Sequence, residues 1–374
     1  MLETYCLDGI LISIFIFSLL LAFSICNKSK YTNTNRPSIF THTIILLFCV
    51  FAFWDQDYYG YIELLNAIDY RFPNEDQANH LEQLYVWIAY FVNGHYTLFR
   101  LCIWGLAYIL FIKTLKNFNI YSKQSIALFI VYFLLMFSYA RVSLGMTSLF
   151  YGVSLFLQSD KKRIINICLG LVMLVLSYNA HKSMFVVIAV LPLIFFRYNK
   201  YTVPIIAISA MLAAWSCADM LISEILISEI SNDEYGEVIQ ASAINYITTE
   251  TSKMGIVGKM QRLLQVITLI LPTMYCFINN DVNKYISSNF KLRCLVNYSL
   301  LISLISLALG IIISFESPLF YRIIFMAYIP NIIIISTLFK NHILSISGYN
   351  KLFFIISLFP IIRLAYTLYC EIVS

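Results

Sequence analysis

Long apolar runs follow one another through almost all of this sequence. They lie at residues 7–26, 39–54, 97–115, 124–140, 143–158, 164–180, 183–196, 202–219, 261–278, 294–313, 319–338 and 352–369. A helix needs about 20 mostly apolar residues to cross a bilayer, and the chain repeats such runs from end to end. The rest of the composition agrees. Charged residues are 12% of the chain and hydrophobic ones 60%, against about 25% charge in a soluble domain. Too little polar surface remains to face water. The 27 Tyr and 29 Phe supply rings for the membrane interfaces. The expected fold is all-α: a polytopic transmembrane protein of about 12 helices, with residues 1–374 forming a single integral membrane domain. Glu3 and Asp8 stand where a signal peptide carries positive charge, so the first run is read as a retained helix.

Lysine and arginine orient the chain. With the segment after the first helix (Lys28, Lys30, Arg36) in the cytoplasm, alternation places 16 basic and 2 acidic residues inside, and 9 basic and 18 acidic residues outside. The inside balance is then +14 and the outside balance −9, and both termini lie outside. Two outer loops are long, 55–96 and 219–260, and loops beyond about 12–15 residues are usually functional or disordered. The first is rich in aromatics, with an apolar stretch at 84–93 that reads as re-entrant or interfacial. The second contains Ile222, Ile225, Leu226 and Ile230 at the spacing of one helix face, which suits an interfacial helix.

The nine cysteines are scattered, with no CxxC and no Cys/His cluster at zinc spacing. No metal, cofactor or required disulfide is expected. Walker and dinucleotide-binding glycine patterns are missing, as is a long basic tail, and no nucleic-acid partner is expected.

Charge at membrane depth is costly and marks function by default. Six groups stand at outer helix ends. Trp54-Asp55-Gln56-Asp57-Tyr58-Tyr59-Gly60-Tyr61 sets two carboxylates among rings, as carbohydrate sites do. Glu82 and Tyr85 are three apart and share a helix face. Arg141 lies between two apolar runs with almost no loop, and Gly145, Ser148 and Gly152 follow it on one face. Small residues admit a helix or a lipid head group, and an arginine fork holds phosphate. His181, beside Lys182, occupies another tight outer turn and suits a base or a hydroxyl-orienting group. Lys259 and Arg262 open the run at 261–278, and Arg322 follows Tyr321 at the start of another. Interfacial anchoring is the plainer reading of each cation. Together, these cations interrupt an otherwise acidic outer side, where an anionic lipid head group, a pyrophosphate above all, matches several at once.

Asp57-Tyr58 after the second helix, Glu82-x-x-Tyr85, Arg141 before a small-residue helix, a basic cytoplasmic turn and His181-Lys182-Ser183 resemble the EpsG-like branch of Wzy-type polysaccharide polymerases. The resemblance covers residues 45–200, and Tyr321-Arg322 is similar to a late arginine of the same group. It implies a metal-independent membrane glycosyltransferase of GT-C-like architecture. Such an enzyme joins oligosaccharide repeat units carried on undecaprenyl diphosphate, on the periplasmic face of the bacterial inner membrane. O-antigen is the commonest product, and capsule or exopolysaccharide are the others. A chain-length regulator (Wzz-type), a flippase (Wzx-type) and membrane lipids are the implied partners.

The residues fit that chemistry. Negative charge builds on the departing diphosphate, and arginines stabilise it: Arg141, with Arg322 or Arg262 assisting. Asp57, Glu82 and His181 compete for the acceptor hydroxyl, in an order the residues do not set. Tyr58, Tyr85, Lys182, Lys259, Arg262 and Arg322 are the expected substrate contacts. A flippase or transporter is the main rival, and it requires charges deep in several helices and contacts on both sides. Another lipid-linked glycosyltransferase or an O-antigen ligase is a further alternative, although the second outer loop holds no histidine of the kind a ligase uses.

Overall fold

A computed structural model of the chain describes residues 16–24, 36–51, 83–137, 139–158, 163–181, 184–196, 256–309 and 323–373, with Ile62 and Leu65 besides. Within these residues the backbone is helix and connecting turn, and no strand occurs. Each apolar run carries helix except 202–219, which lies outside the described residues. The helices are α1 (Ile39–Phe51), α2 (Gln83–Phe91), α3 (Tyr96–Asn117), α4 (Lys123–Phe133), α5 (Ala140–Phe156), α6 (Arg163–Ala180), α7 (Met184–Val190), α8 (Ile256–Ile278), α9 (Asn280–Ser288), α10 (Phe290–Leu309), α11 (Tyr328–Lys340) and α12 (Ile346–Val373). Short 3-10 turns follow α4 and α7 and precede α11. Tyr96–Asn117, Arg163–Ala180 and Phe290–Leu307 are long and apolar enough to cross a membrane, and five shorter apolar helices accompany them.

The basic segment after α8, which no apolar run covers, is helical. It forms α9, whose Asn279 N-cap side chain accepts from the backbone N–H groups of Asp281 and Val282. A sequence too polar to read as a span still closes a short helix, because Val282 and Ile286, four apart, bury one face. Two helix starts are corrected. The helix carrying Lys259 and Arg262 begins at Ile256 rather than 261. The helix after the 124–140 run begins at Ala140 rather than 143, since neither Arg141 nor Val142 is a helix breaker. The interfacial helix expected around Ile222–Ile230 lies outside the described residues.

The chain divides into two compact units, Met1–Ile188 with Ile335–Ser374, and Ala189–Ile334. In the first, α5 packs between α3 and α6. The α5–α6 contact is close because both helices present glycine. A Cβ on Gly152 would sit 3.0 Å from the Gly170 carbonyl oxygen, and one on Gly170 would sit 2.6 Å from the Phe156 ring. Ser177 Oγ donates to the Gly145 carbonyl at 2.7 Å. The described side chains buried on α6 are Gly170, Ser177 and Ala180, while Ile164, Ile165, Leu171, Val172 and Val175 are exposed. A helix apolar all round with a narrow small-residue seam suits a lipid environment. Between α3 and α4 the core is a ring ladder: Phe111 and Phe129 centroids stand 4.4 Å apart, and Phe129 and Phe133 4.3 Å. α12 joins α4 through Tyr349 Oη, which donates to the Gln124 carbonyl at 3.0 Å.

In this unit α1 and α3 run antiparallel. His42 near the start of α1 meets Tyr108 and Tyr121, and Cys49 and Val50 near its end meet Arg100. Arg100 and Tyr108 lie eight positions apart on α3, about 12 Å at 1.5 Å per residue.

The second unit has a polar seam. Thr273 Oγ1 donates to Ser299 Oγ at 3.1 Å, and Ser299 Oγ to Asn331 Oδ1 at 2.7 Å. Asn331 Nδ2 then donates to the Leu269 carbonyl at 2.9 Å. Pro272 lies inside α8 and has no N–H to offer the Thr268 carbonyl; the Asn331 amide binds the carbonyl next to it, that of Leu269. Asn297 Nδ2 likewise donates to the carbonyls of Ile194 and Phe196, at 2.8 and 2.6 Å. Buried amides and hydroxyls of this kind join helices where water is absent.

Candidate functional site

Of the residues singled out in the sequence, the structure brings Tyr85, Arg141 and the turn at His181 together within the first unit. Arg141 is the second residue of α5, directly after the Tyr139 cap and Ala140. A helix N-terminus carries positive potential, so the guanidinium and the helix end add, which favours an anion there. The cost of placing the cation at this end is offset by an aromatic face. Arg141 Cζ lies 5.8 Å from the centroid of the Tyr85 ring, within the range of a cation–π contact.

Tyr85 is completely buried on α2. Its hydroxyl donates to the Ala180 carbonyl at 2.6 Å, and its ring meets Phe99 edge-on at 6.1 Å between centroids. So placed, the ring lies under Arg141 and ties α2 to the last residue of α6. His181 follows Ala180 directly and is 7% exposed. Its backbone N–H donates to the Ser177 carbonyl, and its carbonyl accepts from Met184 N, so the turn continues from α6 into α7 almost without a loop. One hydroxyl, Tyr85 Oη, thereby links the arginine support to the histidine turn.

The small-residue face after Arg141 is occupied by protein. A Cβ on Gly145 would lie 3.0 Å from Met184 Cγ, and Gly152 faces Gly170. Ser148 is fully buried. The face therefore receives α6 and Met184, the helix being one of the two occupants that small residues admit.

Lys259 and Arg262 lie in α8, in the second unit. Asp57, Tyr58, Glu82, Lys182 and Arg322 lie outside the described residues. No group of three or more His, Cys, Asp or Glu with metal-holding placement occurs among the described residues.

Two groupings were missed in the sequence. Arg100, near the start of α3, is 3% exposed and donates to three backbone carbonyls. A cation a few residues inside the 97–115 run was the available signal. The second lies further along α3, where His42 joins one phenol of that helix and one just past its end: Nδ1 to Tyr108 Oη at 2.7 Å and Nε2 to Tyr121 Oη at 2.6 Å. Lys116 Nζ stands 5.4 Å from the Tyr121 ring centroid. Burial pushes the Tyr121 phenol above its ordinary range, while the Arg36 charge pulls it back down. These residues are dispersed over 79 positions, and no local spacing announces them.

A family model described as the EpsG family matches residues 36–372. No curated protein and no solved structure matched the chain. The match spans both compact units and includes Tyr85, Arg141 and His181. With its repeated apolar helices, this chain is a helical membrane protein that belongs to the EpsG family.

Proposed function

We propose that the protein polymerises oligosaccharide repeat units carried on undecaprenyl diphosphate, with O-antigen the foremost product and capsule or exopolysaccharide the others. The growing glycan moves to the non-reducing end of the next lipid-linked unit, on the periplasmic face of the inner membrane. The observation that carries this reading is the Arg141–Tyr85 pair at a helix N-terminus, tied by one hydroxyl to the turn bearing His181, in a chain of the EpsG family.

In the reaction, the bond from the anomeric carbon to the diphosphate oxygen breaks, and a bond to the acceptor hydroxyl oxygen forms. The hydroxyl proton passes to a base, and undecaprenyl diphosphate departs. Arg141 stabilises the charge building on the diphosphate: its fork supplies directed donors, and the start of α5 adds a positive potential. His181, Asp57 and Glu82 orient the acceptor hydroxyl and take its proton. Tyr58, Lys182, Lys259, Arg262 and Arg322 serve, on sequence grounds, as further contacts for the lipid-linked substrate. A flippase supplies that substrate and a chain-length regulator sets how far it is extended. GT-C-like architecture is part of the same proposal.

Deletion of the gene tests the reading. The mutant is expected to keep single repeat units on the acceptor and to lose the long-chain ladder on a gel. A normal ladder in a deletion strain without a second polymerase would overturn it.

A further inference from the structure

We infer that Arg100 is a positioning residue for Arg141, acting through the backbone turn that opens α5. The inference rests on the proposed polymerase reading for its activity readout alone.

Arg100 Nε donates to the Val50 carbonyl at 2.9 Å, and Nη2 to the carbonyls of Cys49 at 2.6 Å and Phe137 at 2.5 Å. Trp104 Nε1, one turn along α3, donates to the same Phe137 carbonyl at 3.1 Å. Cys49 and Val50 are in the last turn of α1, where carbonyls lack intrahelical donors and carry partial negative charge. Phe137 directly follows the 3-10 turn Leu134–Met136. One guanidinium thus binds two chain segments that meet nowhere in sequence, and only a planar fork with several donors does so.

The consequence falls on Arg141. From Phe137 the chain turns at once into α5: Tyr139 N donates to the Met136 carbonyl at 2.8 Å, and Ser143 N to the Tyr139 carbonyl at 3.1 Å. Arg141 stands between those two anchored residues, so its backbone follows the Phe137 carbonyl. The opposite member of the pair is fixed from the same stretch of α3, because Phe99 meets the Tyr85 ring edge-on. Phe99, Arg100 and Trp104 together set both the ring and the turn whose guanidinium lies over it. A displacement of about 1 Å at a reacting centre can cost about 10²-fold in rate, so a residue that never touches substrate governs turnover from here.

The full-length protein is produced in membranes of the deletion strain as Arg100→Lys. Three quantities are read: polymer per unit of protein, melting temperature in detergent, and the rate at which phenylglyoxal modifies Arg141, followed by peptide mass spectrometry. Arg100→Lys keeps the charge and loses the fork. It is expected to accumulate, to make about 10- to 100-fold less polymer, and to expose Arg141 to faster modification. Wild-type polymer per protein overturns the inference. So does lost polymer with an unchanged Arg141 modification rate, because Arg100 then acts by another route. If Arg100→Lys fails to accumulate, Trp104→Phe carries the same test with a smaller effect, since it removes one of the two side-chain donors to the Phe137 carbonyl. A deletion strain that keeps its ladder defeats the polymerase reading alone, because the modification rate does not depend on it.

Discussion

The two ends of the first unit use the same kinds of side chain for different work. At the Arg141 end, cations are drawn into the protein: Arg100 is 3% exposed among carbonyls, and Arg141 lies over a Tyr85 ring that is itself fully buried. At the His42 end, Arg36, Lys113 and Lys116 are exposed. Lys116 lies over Tyr121, and Lys113 Nζ stands 5.7 Å from the Tyr151 ring centroid. A buried cation is committed to its partners, because removing them strands the charge. An exposed one exchanges each partner for water at little cost. The first end is therefore built to hold charge in a fixed place. The second is built to present it.

Substitutions at both ends test that contrast. The largest effect is expected at Arg141. Arg141→Lys keeps the charge but loses the directed fork, and loss of one such stabiliser costs about 10²–10³ in rate. Only a trace of the ladder should remain at normal protein level. A wild-type ladder would make Arg141 an interfacial anchor and erase the difference between the ends. A smaller effect is expected for His42→Phe, which removes two hydrogen bonds to tyrosine hydroxyls. At roughly 0.5–1.5 kcal/mol each, the melting temperature in detergent should fall while polymer per protein holds. Loss of polymer as complete as for Arg141→Lys would show that the His42 end also serves catalysis. The smallest is Lys116→Gln, expected to stay within about 0.5 kcal/mol of wild type, read by the same melting measurement. A large shift there would mean that the exposed cation is not freely solvated.

Much of the helical layout was legible because apolar runs of span length have few other destinations. The 97–115 and 164–180 runs fall on α3 and α6 almost residue for residue, and the stretch at 84–93 overlies α2. α9 was not legible, because a short polar helix leaves no hydrophobic run and rests on one asparagine cap and two buried side chains. Arg141 and His181 stood out as charge and imidazole in tight turns, and the structure joins their neighbourhoods through Tyr85. Arg100 was visible as a cation inside an apolar run, but its partners were not. Arg100 binds backbone carbonyls, and a backbone carbonyl has no sequence signature. The small residues after Arg141 did signal close approach, but the occupant is decided by tertiary packing, and Met184 and Gly170 take the space.

The glycine seam between α5 and α6 also bears on temperature. Contacts that bury apolar surface away from water carry a large heat-capacity change and weaken on cooling. Within a bilayer, parting these two helices would uncover Gly152, Gly170 and the Ser177 hydrogen bond mainly to lipid chains, with little new surface offered to water. The stability of this crossing should therefore trace a nearly flat curve against temperature. Chilling a membrane that holds this protein would stiffen the lipid around α6 long before it loosened the grip of α6 on α5.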